Sequence, residues 1–327
     1  MAIESIGGVG TREAYSPDIY SPELKERFRH NTLLTRVCNR AFEGKFRHQG
    51  GKIIIRTPPL IRTQKYVNGQ VIAYQDPDAF KEEHTISRAR YYAFVIRDID
   101  AAFSDIKNFA ATWTKEGAKQ LAEDNETEWF ADIYAKCHAS NQGNTAGVVS
   151  GEYVLGTTAA PLTVYKTQAL ADAASGVTIK NPAVDAIAEA AACLQEQPGG
   201  LGLRPWIILP VWYGQSIQTG ELKDASVSGD SQSLLRKSVQ SIGSLAGFDV
   251  YLSNLLPSWA ADVGASLPKR YLCLFGDDSA ISFADEIDKT ELLRDKDEVG
   301  DFHRSLMVYD WFVRYAERFG HMIVAKG

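Results

Sequence analysis

The stretch from Phe103 to Ser140, FSDIKNFAATWTKEGAKQLAEDNETEWFADIYAKCHAS, constrains this chain more than any other. No proline interrupts it, its one glycine is Gly117, and strong helix formers dominate, so it reads as one long helix. Asp98 and Asp100 just upstream are natural N-caps, because a short carboxylate accepts from the orphan N–H groups of a first turn. About 36 helical residues span roughly 54 Å, longer than a compact small domain needs. Ile106, Phe109, Ala110, Trp113, Gly117 and Leu121 recur at helical spacing and define one apolar face. After the acidic run Glu123 to Glu128, Trp129, Phe130, Ile133 and Cys137 define a second face. At about 100° per residue it points almost opposite to the first. A helix inside a single core keeps one apolar face. Two opposed faces describe a spine that serves two neighbours.

The 327 residues suffice for two domains or one elaborated α/β domain. With 45% hydrophobic and 23% charged residues, the chain has the make-up of an ordinary core-forming protein. A net charge of −6, from 35 basic and 41 acidic residues, provides no overall basic field to attract nucleic acid. The opening MAIESIGGVGT has neither a basic nor an apolar signal-peptide region, and apolar runs such as Trp206 to Leu209 are far below a membrane span, so no membrane partner is expected. Cys38, Cys137, Cys193 and Cys273 lie far apart without CxxC pairing and read as buried free thiols of a cytosolic protein.

In chain order, residues 1–20 are rich in Gly, Ser and Pro, lack any period, and read as an extended arm. Ser21-Pro22-Glu23-Leu24 marks a helix start, with Ser as cap and Pro at the first helical position. The basic cluster Lys25, Arg27, Arg29, His30, Arg36 and Arg40 suits nucleic acid or, more simply, a solvated or subunit-contacting face. Lys52 to Arg56 is a strand stopped by Pro58-Pro59. A polar stretch with a turn at Asn68-Gly69 follows, and Thr85 to Arg97 then reads as one long strand rich in β-branched and aromatic residues. About 30 residues thus leave and re-enter a sheet with little apolar content to anchor them, the pattern of a loop meant to lie on something else. Asn181-Pro182 opens a second helix with Val184, Ile187, Ala188, Ala191 and Leu194 on one face, ended by Pro198-Gly199-Gly200. Trp206 to Leu209, Gly247 to Tyr251 and Tyr271 to Phe275 are short buried-type strands, and Asp230 caps a third helix through Leu234, Leu235 and Ile242. The alternation between residues 181 and 285 argues an α/β subdomain. Leu306 to Arg314 and Met322 to Ala325 read as strands returning to an earlier sheet.

Catalytic motifs are largely missing. A GxxxxGK phosphate loop fails because Phe46 precedes Gly51-Lys52 where glycine is required, and Gly214-Gln215-Ser216-Ile217-Gln218 lacks the closing glycine of a nucleophile elbow. HExxH is absent, and His30, His48, His84, His138, His303 and His321 are scattered without metal-ligand spacing. Glu123, Asp124, Glu126 and Glu128 suit a solvated helix flank better than a cation site. No catalytic residue, cofactor or metal is assigned, and the chain is expected not to be an enzyme.

Two groups of residues carry a family resemblance. The first is Tyr15-Ser16-Pro17-Asp18-Ile19-Tyr20-Ser21-Pro22-Glu23-Leu24, with Phe42-Glu43-Gly44-Lys45 and Gly50-Gly51-Lys52-Ile53. The second is Leu209-Pro210-Val211-Trp212-Tyr213, with Gly247-Phe248-Asp249-Val250-Tyr251-Leu252-Ser253-Asn254-Leu255-Leu256-Pro257. With the order arm, hairpin, spine helix, α/β subdomain and returning strands, they resemble the major capsid proteins of tailed double-stranded-DNA bacteriophages, built on the Hong Kong 97-type fold. The resemblance implies an α+β chain with an N-arm at residues 1–45 and an extended β-hairpin loop with flanking strands at 46–97. It places the spine helix and peripheral domain at 98–150, an axial α/β domain at 151–290, and returning strands of the peripheral domain at 291–327. It implies self-assembly as hexamers and pentamers into an icosahedral head enclosing double-stranded DNA, in a virion assembled in the host cytoplasm.

Partners implied by the resemblance are the chain itself, a separate scaffolding protein (no long N-terminal region is present to act as a fused one), a portal, an optional decoration protein and non-specific contacts with packaged DNA. Tyr20, Leu24, Tyr66, Tyr74, Arg88, Arg90 and Trp129 are the candidate inter-subunit contacts. Charge reversal at Arg88 and Arg90 is expected to weaken assembly more than folding. The type member joins subunits by Lys–Asn isopeptide bonds. Lys65 and Lys81 read as solvent-exposed lysines, and no crosslink is assigned. The alternatives are an encapsulin-type nanocompartment shell on the same fold and a soluble α/β enzyme with an unrecognised site.

Overall fold

The structure is a computed structural model that describes residues 32–41, 52–59, 61–76, 80–98, 109–203, 205–220, 243–262, 264, 267–294 and 300–327. The expected arm before residue 32, the expected helix start at Ser21, the third helix expected after Asp230, and residues 99–108, where the sequence reading begins the spine helix, lie outside these.

The largest unit is a sheet ordered β5 (Lys180–Pro182), β4 (Leu162–Tyr165), β13 (Phe319–Lys326), β10 (Arg270–Gly276), β6 (Trp206–Leu209), β8 (Phe248–Leu252) and β7 (Ser244–Leu245), with β9 (Ser258–Trp259) also on β10. β6 is apolar throughout, and β10 and β13 carry continuous apolar runs at Tyr271–Phe275 and Met322–Ala325, because both faces of the sheet are covered there. Ile207 and Leu209 of β6, Cys273 and Phe275 of β10, and Met322 and Val324 of β13 face one core. That core is filled by α4 (Ala183–Gln195) and α5 (Val211–Thr219) through Ala183, Ile187, Leu194, Tyr213 and Ile217. The alternate residues Trp206, Ile208, Leu272, Leu274 and Ile323 face a second core, with Trp129, Phe130 and Ile133 of the spine helix and Leu33, Leu34 and Val37 around α1 (Leu34–Val37). A short α3 (Gln168–Ala173), capped by the Thr167 side chain, joins β4 to β5.

A second, three-stranded antiparallel sheet is ordered β11 (Ile281–Arg294), β12 (Gly300–Val313) and β3 (Arg88–Arg97). The long helix α2 (Phe109–Ile133) lies on it and then enters the second core. Its described 25 residues are about 37 Å long. Tyr134–Lys136 tighten into a 3₁₀ turn, and Cys137 is extended. Both apolar stripes read from the sequence are used within the chain. Trp113 meets Phe94 edge to face at 5.6 Å, and a Cβ at Gly117 would stand 3.0 Å from the Tyr92 ring, so glycine lets the helix approach β3. The second stripe fills the core under the large sheet.

A two-stranded ribbon, β1 (Lys52–Thr57) with β2 (Phe80–Thr85), completes the described structure. Three findings differ from the sequence reading. Thr85 to Arg97 is two strands, because Ser87 donates its backbone N–H to Asp310 Oδ2 at 3.0 Å and the chain changes partner there from β1 to β12. Leu306 to Arg314 and Met322 to Ala325 return to two different sheets, not to one. β13 lies between β4 and β10 at the centre of the large sheet. Val211 to Thr219, quoted above only as part of a motif, is helical.

A candidate assembly surface

Between β1 and β2 the chain makes an extended loop whose residues 61–76 are all exposed. It is shaped by its own hydrogen bonds. The Arg62 N–H donates to Gln75 Oε1 at 3.1 Å, the Gln75 side-chain amide donates back to the Arg62 carbonyl, and the Val67 N–H donates to Gln70 Oε1 at 3.2 Å. The turn closes with the Gln70 N–H on the Val67 carbonyl at 3.0 Å and Gly69 at φ +87°, a left-handed conformation that glycine adopts without strain. No core covers this loop, yet it displays Ile61, Tyr66, Val67, Val71, Ile72 and Tyr74, the last 94% exposed. So much apolar surface on a slender projection is the mark of an interaction site.

The three-stranded sheet offers a second apolar surface. Period-two alternation on β3 turns Arg88, Arg90, Tyr92 and Phe94 to α2 and leaves Tyr91 and Ala93 on the outer face. There Tyr91, Ala93, Leu293, Phe302 and Leu306 line an open groove of about 880 Å³, with the Arg304–Glu291 ion pair at its side.

Between sheet and helix lies a half-buried charge network. Arg88 bonds to Glu128, to Asp132 at 3.1 Å and to Asp310 at 3.3 Å, with its guanidinium carbon 3.9 Å from the Trp311 ring centre. Arg90 donates to Glu128 at 2.8 Å and to the Tyr309 hydroxyl at 2.9 Å, and that hydroxyl donates to Glu128 at 2.8 Å. Asp132 also accepts from Lys136 at 2.7 Å and from the Trp311 indole at 2.6 Å. Burial alone would raise the Glu128 carboxyl. The hydrogen bonds from Arg90, Tyr309 and Arg88 outweigh it and hold the group below its ordinary range. Asp132 is likewise held low, by Lys136 and Trp311 against burial.

The candidate contacts therefore separate. Tyr66 and Tyr74 stand on the exposed loop. Arg88 and Arg90 are committed within the chain, which corrects the expectation that their charge acts mainly between subunits. Trp129 has no exposed surface and packs against Phe130 at 5.0 Å between ring centres, so it is a core residue here and no contact. Tyr20 and Leu24 lie outside the described residues. The outer groove and the charge network are absent from the sequence reading, although the alternation through Arg88-Ala89-Arg90-Tyr91-Tyr92-Ala93 signals two faces.

Among the described residues, no group of three or more His, Cys, Asp or Glu is placed to hold a metal ion. The four cysteines are buried and free, and burial pushes the Cys137 thiol up to about 12 and Cys193 up to about 11, far from a reactive thiolate. No helix of the described residues is long and apolar enough to cross a membrane.

The two halves of the second motif meet in space. β6 runs parallel to β8 with Leu209 opposite Leu252, and the Ser253 N–H donates to the Leu209 carbonyl at 3.1 Å. Ser253 Oγ then accepts from the Leu255 N–H at 3.1 Å, turning the chain out of the sheet. The Leu-Pro and Ser-Asn-Leu-Leu-Pro segments are thus the paired exits of neighbouring parallel strands.

No protein-family model matches the chain, and no curated protein sequence does. Solved structures do. A chain of Mycobacterium phage Che8 is 20% identical, with TM-score 0.67, over 95% of this chain and 97% of its own. The capsid of cyanophage P-SCSP1u matches at 15% identity and TM-score 0.67, over 98% of this chain and 96% of its own. The mature capsid of bacteriophage PhiM1 matches at 12% identity and TM-score 0.65, over 95% and 92%. Across nearly its whole length, this chain has the mixed α/β fold of phage capsid proteins, in agreement with the Hong Kong 97-type architecture implied by its sequence.

Proposed function

We propose that this chain is a major capsid protein whose activity is self-assembly, as hexamers and pentamers, into an icosahedral phage head enclosing double-stranded DNA. The observation that carries this reading is the loop of residues 61–76, where six large apolar side chains project from a ribbon with no core of its own to cover them. On a fold shared with phage capsids, the simplest cover is another copy of the chain. The role is structural, and no reaction is assigned.

In this reading residues 1–45 are the arm, 46–97 the overlapping hairpin and 98–150 the spine and peripheral region. Residues 151–290 gather at the symmetry axes, their sheet completed by β13, while β12 belongs with the hairpin strands. A scaffolding protein, a portal and a decoration protein are the further partners. DNA is contacted without sequence preference, and the net charge of −6 provides no overall basic field for tight binding. The particle is a virion assembled in the host cytoplasm.

The test is electron microscopy with sedimentation of the recombinant protein, alone and with candidate scaffold. Closed shells or curved hexamer sheets are expected. A small oligomer that persists at high concentration and with scaffold overturns the reading. Shells from the native source carrying enzymes in place of nuclease-protected DNA would replace the phage head by a nanocompartment.

A further inference from the structure

Glu126 sits in the spine helix with no exposed surface. Its Oε2 accepts the backbone N–H groups of Leu33 and of Leu34, the latter at 3.3 Å. These are the orphan donors at the start of α1, and Leu33, at the N-cap position, has no side-chain oxygen to satisfy them. The other end of the segment is fastened independently of any carboxylate. The Asn39 N–H donates to the Ile281 carbonyl at 2.8 Å, and the Phe283 N–H donates to the Asn39 carbonyl at 2.9 Å. Among the described residues, Glu126 therefore makes the polar attachment of residues 33 and 34 to the spine helix.

The attachment is made at a cost. Oε1 of Glu126 is buried without a hydrogen-bond partner, and no cation among the described residues pairs with the carboxylate. The titratable groups around it offer no compensation. Glu123 lies one turn earlier on the same helix. Cys38, on the α1 side, is held as the neutral thiol by burial with Asp278 and Glu126 adding to it, and supplies no positive charge. A proton on Oε1 removes the buried charge and leaves Oε2 free to go on accepting both N–H groups.

We propose that Glu126 is a proton-dependent latch: protonated, it holds Leu33 to Cys38 against the spine helix, and ionised, it weakens that hold. Burial dominates the carboxyl's behaviour, exceeding the lowering effect of the Leu33 and Leu34 N–H groups with Glu123 adding to it, and raises the group from 4.5 to about 7. A released Glu126 in water keeps its ordinary value. By linkage the latch is strongest below about pH 4.5 and loosens as pH rises to about 7, after which it changes no further. The closed-to-open ratio falls on the order of a hundredfold across that window. This device depends on the fold and not on the assembly reading, because it acts within one subunit.

The test is hydrogen exchange of the unassembled full-length chain between pH 4.5 and 8, corrected for intrinsic exchange rates. Protection of the Leu33 and Leu34 amides is expected to fall about a hundredfold, while the Asn39 amide and the β13 strand hold constant. In Glu126→Gln the amide carbonyl replaces Oε2 with no charge to lose, so protection stays high and independent of pH. A wild-type profile without pH dependence at Leu33 and Leu34 overturns the latch even if the variant does not fold. So does a Glu126→Gln profile with the wild-type slope.

Discussion

Arg88 provides the most discriminating perturbation, because the sequence alone suggests a subunit contact and the structure places it inside the chain. In Arg88→Met, the three carboxylates around the guanidinium keep other donors. Glu128 retains Arg90 and Tyr309, both at 2.8 Å; Asp132 retains Lys136 and the Trp311 indole; and Asp310 retains the backbone N–H groups of Ser87 and Trp311. None is orphaned, so the loss is that of charge-assisted bonds, about 2 kcal/mol, with roughly 0.5 kcal/mol more from the cation–π contact. Arg88→Glu adds a fourth carboxylate to the three. At an effective dielectric near 20, each close like-charge pair costs about 4 kcal/mol before the side chain swings outward. Arg88 is 28% exposed, which permits part of that escape, so a total loss of about 4 kcal/mol is expected. At roughly 2–4 °C per kcal/mol, Arg88→Met lowers the melting temperature of unassembled subunits by about 6 °C, and Arg88→Glu by about 12 °C. Circular dichroism melts of the full chain read both, and Arg88→Met with Glu128→Gln in a double-mutant cycle is expected to give a coupling of about 1–2 kcal/mol. If Arg88→Glu melts within about 1 °C of the wild type yet forms no shells, the intrachain network is refuted and the arginine acts on a neighbour.

Three other outcomes follow from the fold. Trp129→Ala removes a fully buried indole from the second core and is expected to cost about 3–5 kcal/mol, leaving little soluble subunit; a stable, soluble variant that only fails to assemble would show that the indole faces a partner. Tyr66→Ala with Tyr74→Ala, both on the exposed loop, should leave the melting temperature within about 1 °C while sharply reducing the shell fraction in sedimentation; normal shell yield would remove the loop from the interface. Burial lowers His321 from 6.5 to about 4, so its neutral form favours the folded chain, and that stabilisation, complete above about pH 6.5, is lost as pH falls to about 4. Urea midpoints from pH 7 to 4 should fall less steeply in His321→Gln than in the wild type, and equal slopes would place the acid response elsewhere.

The long helix, the second helix with its Pro182 start, the hairpin and its Asn68–Gly69 turn, and the buried strands at 206–209 and 271–275 were legible because each rests on residues within a few positions of one another. Periodicity also revealed that α2 carries two apolar faces. Its partners were not legible: one face meets β3, contributed by residues just before the helix, and the other meets β6, β10 and β13 from the far end of the chain. The strand break at Ser87 was hidden for the same reason, since its cause is Asp310, 223 residues away.

For the candidate surface, composition marks the hairpin loop as poorly anchored by a core, and the structure leaves Tyr66 and Tyr74 exposed there. Arg88 and Arg90 pair within the chain and Trp129 is buried, a distinction hidden in sequence because a basic or aromatic side chain has the same local signature at an interface and in the interior. Only the register of β3 against β12 turns the two arginines onto Glu128, and only the depth of the second core removes Trp129 from the surface. The carboxylate of Glu126 is the sharpest case. In sequence it is one acid of a solvated-looking run, and in the fold it is the buried acceptor for backbone groups 92 and 93 residues earlier. Local propensity and hydrophobic period thus determined which elements this chain forms. The long-range closure of the chain decided which of their faces meet and which are left for other copies, because burial and charge pairing depend on neighbours that no short window of sequence contains.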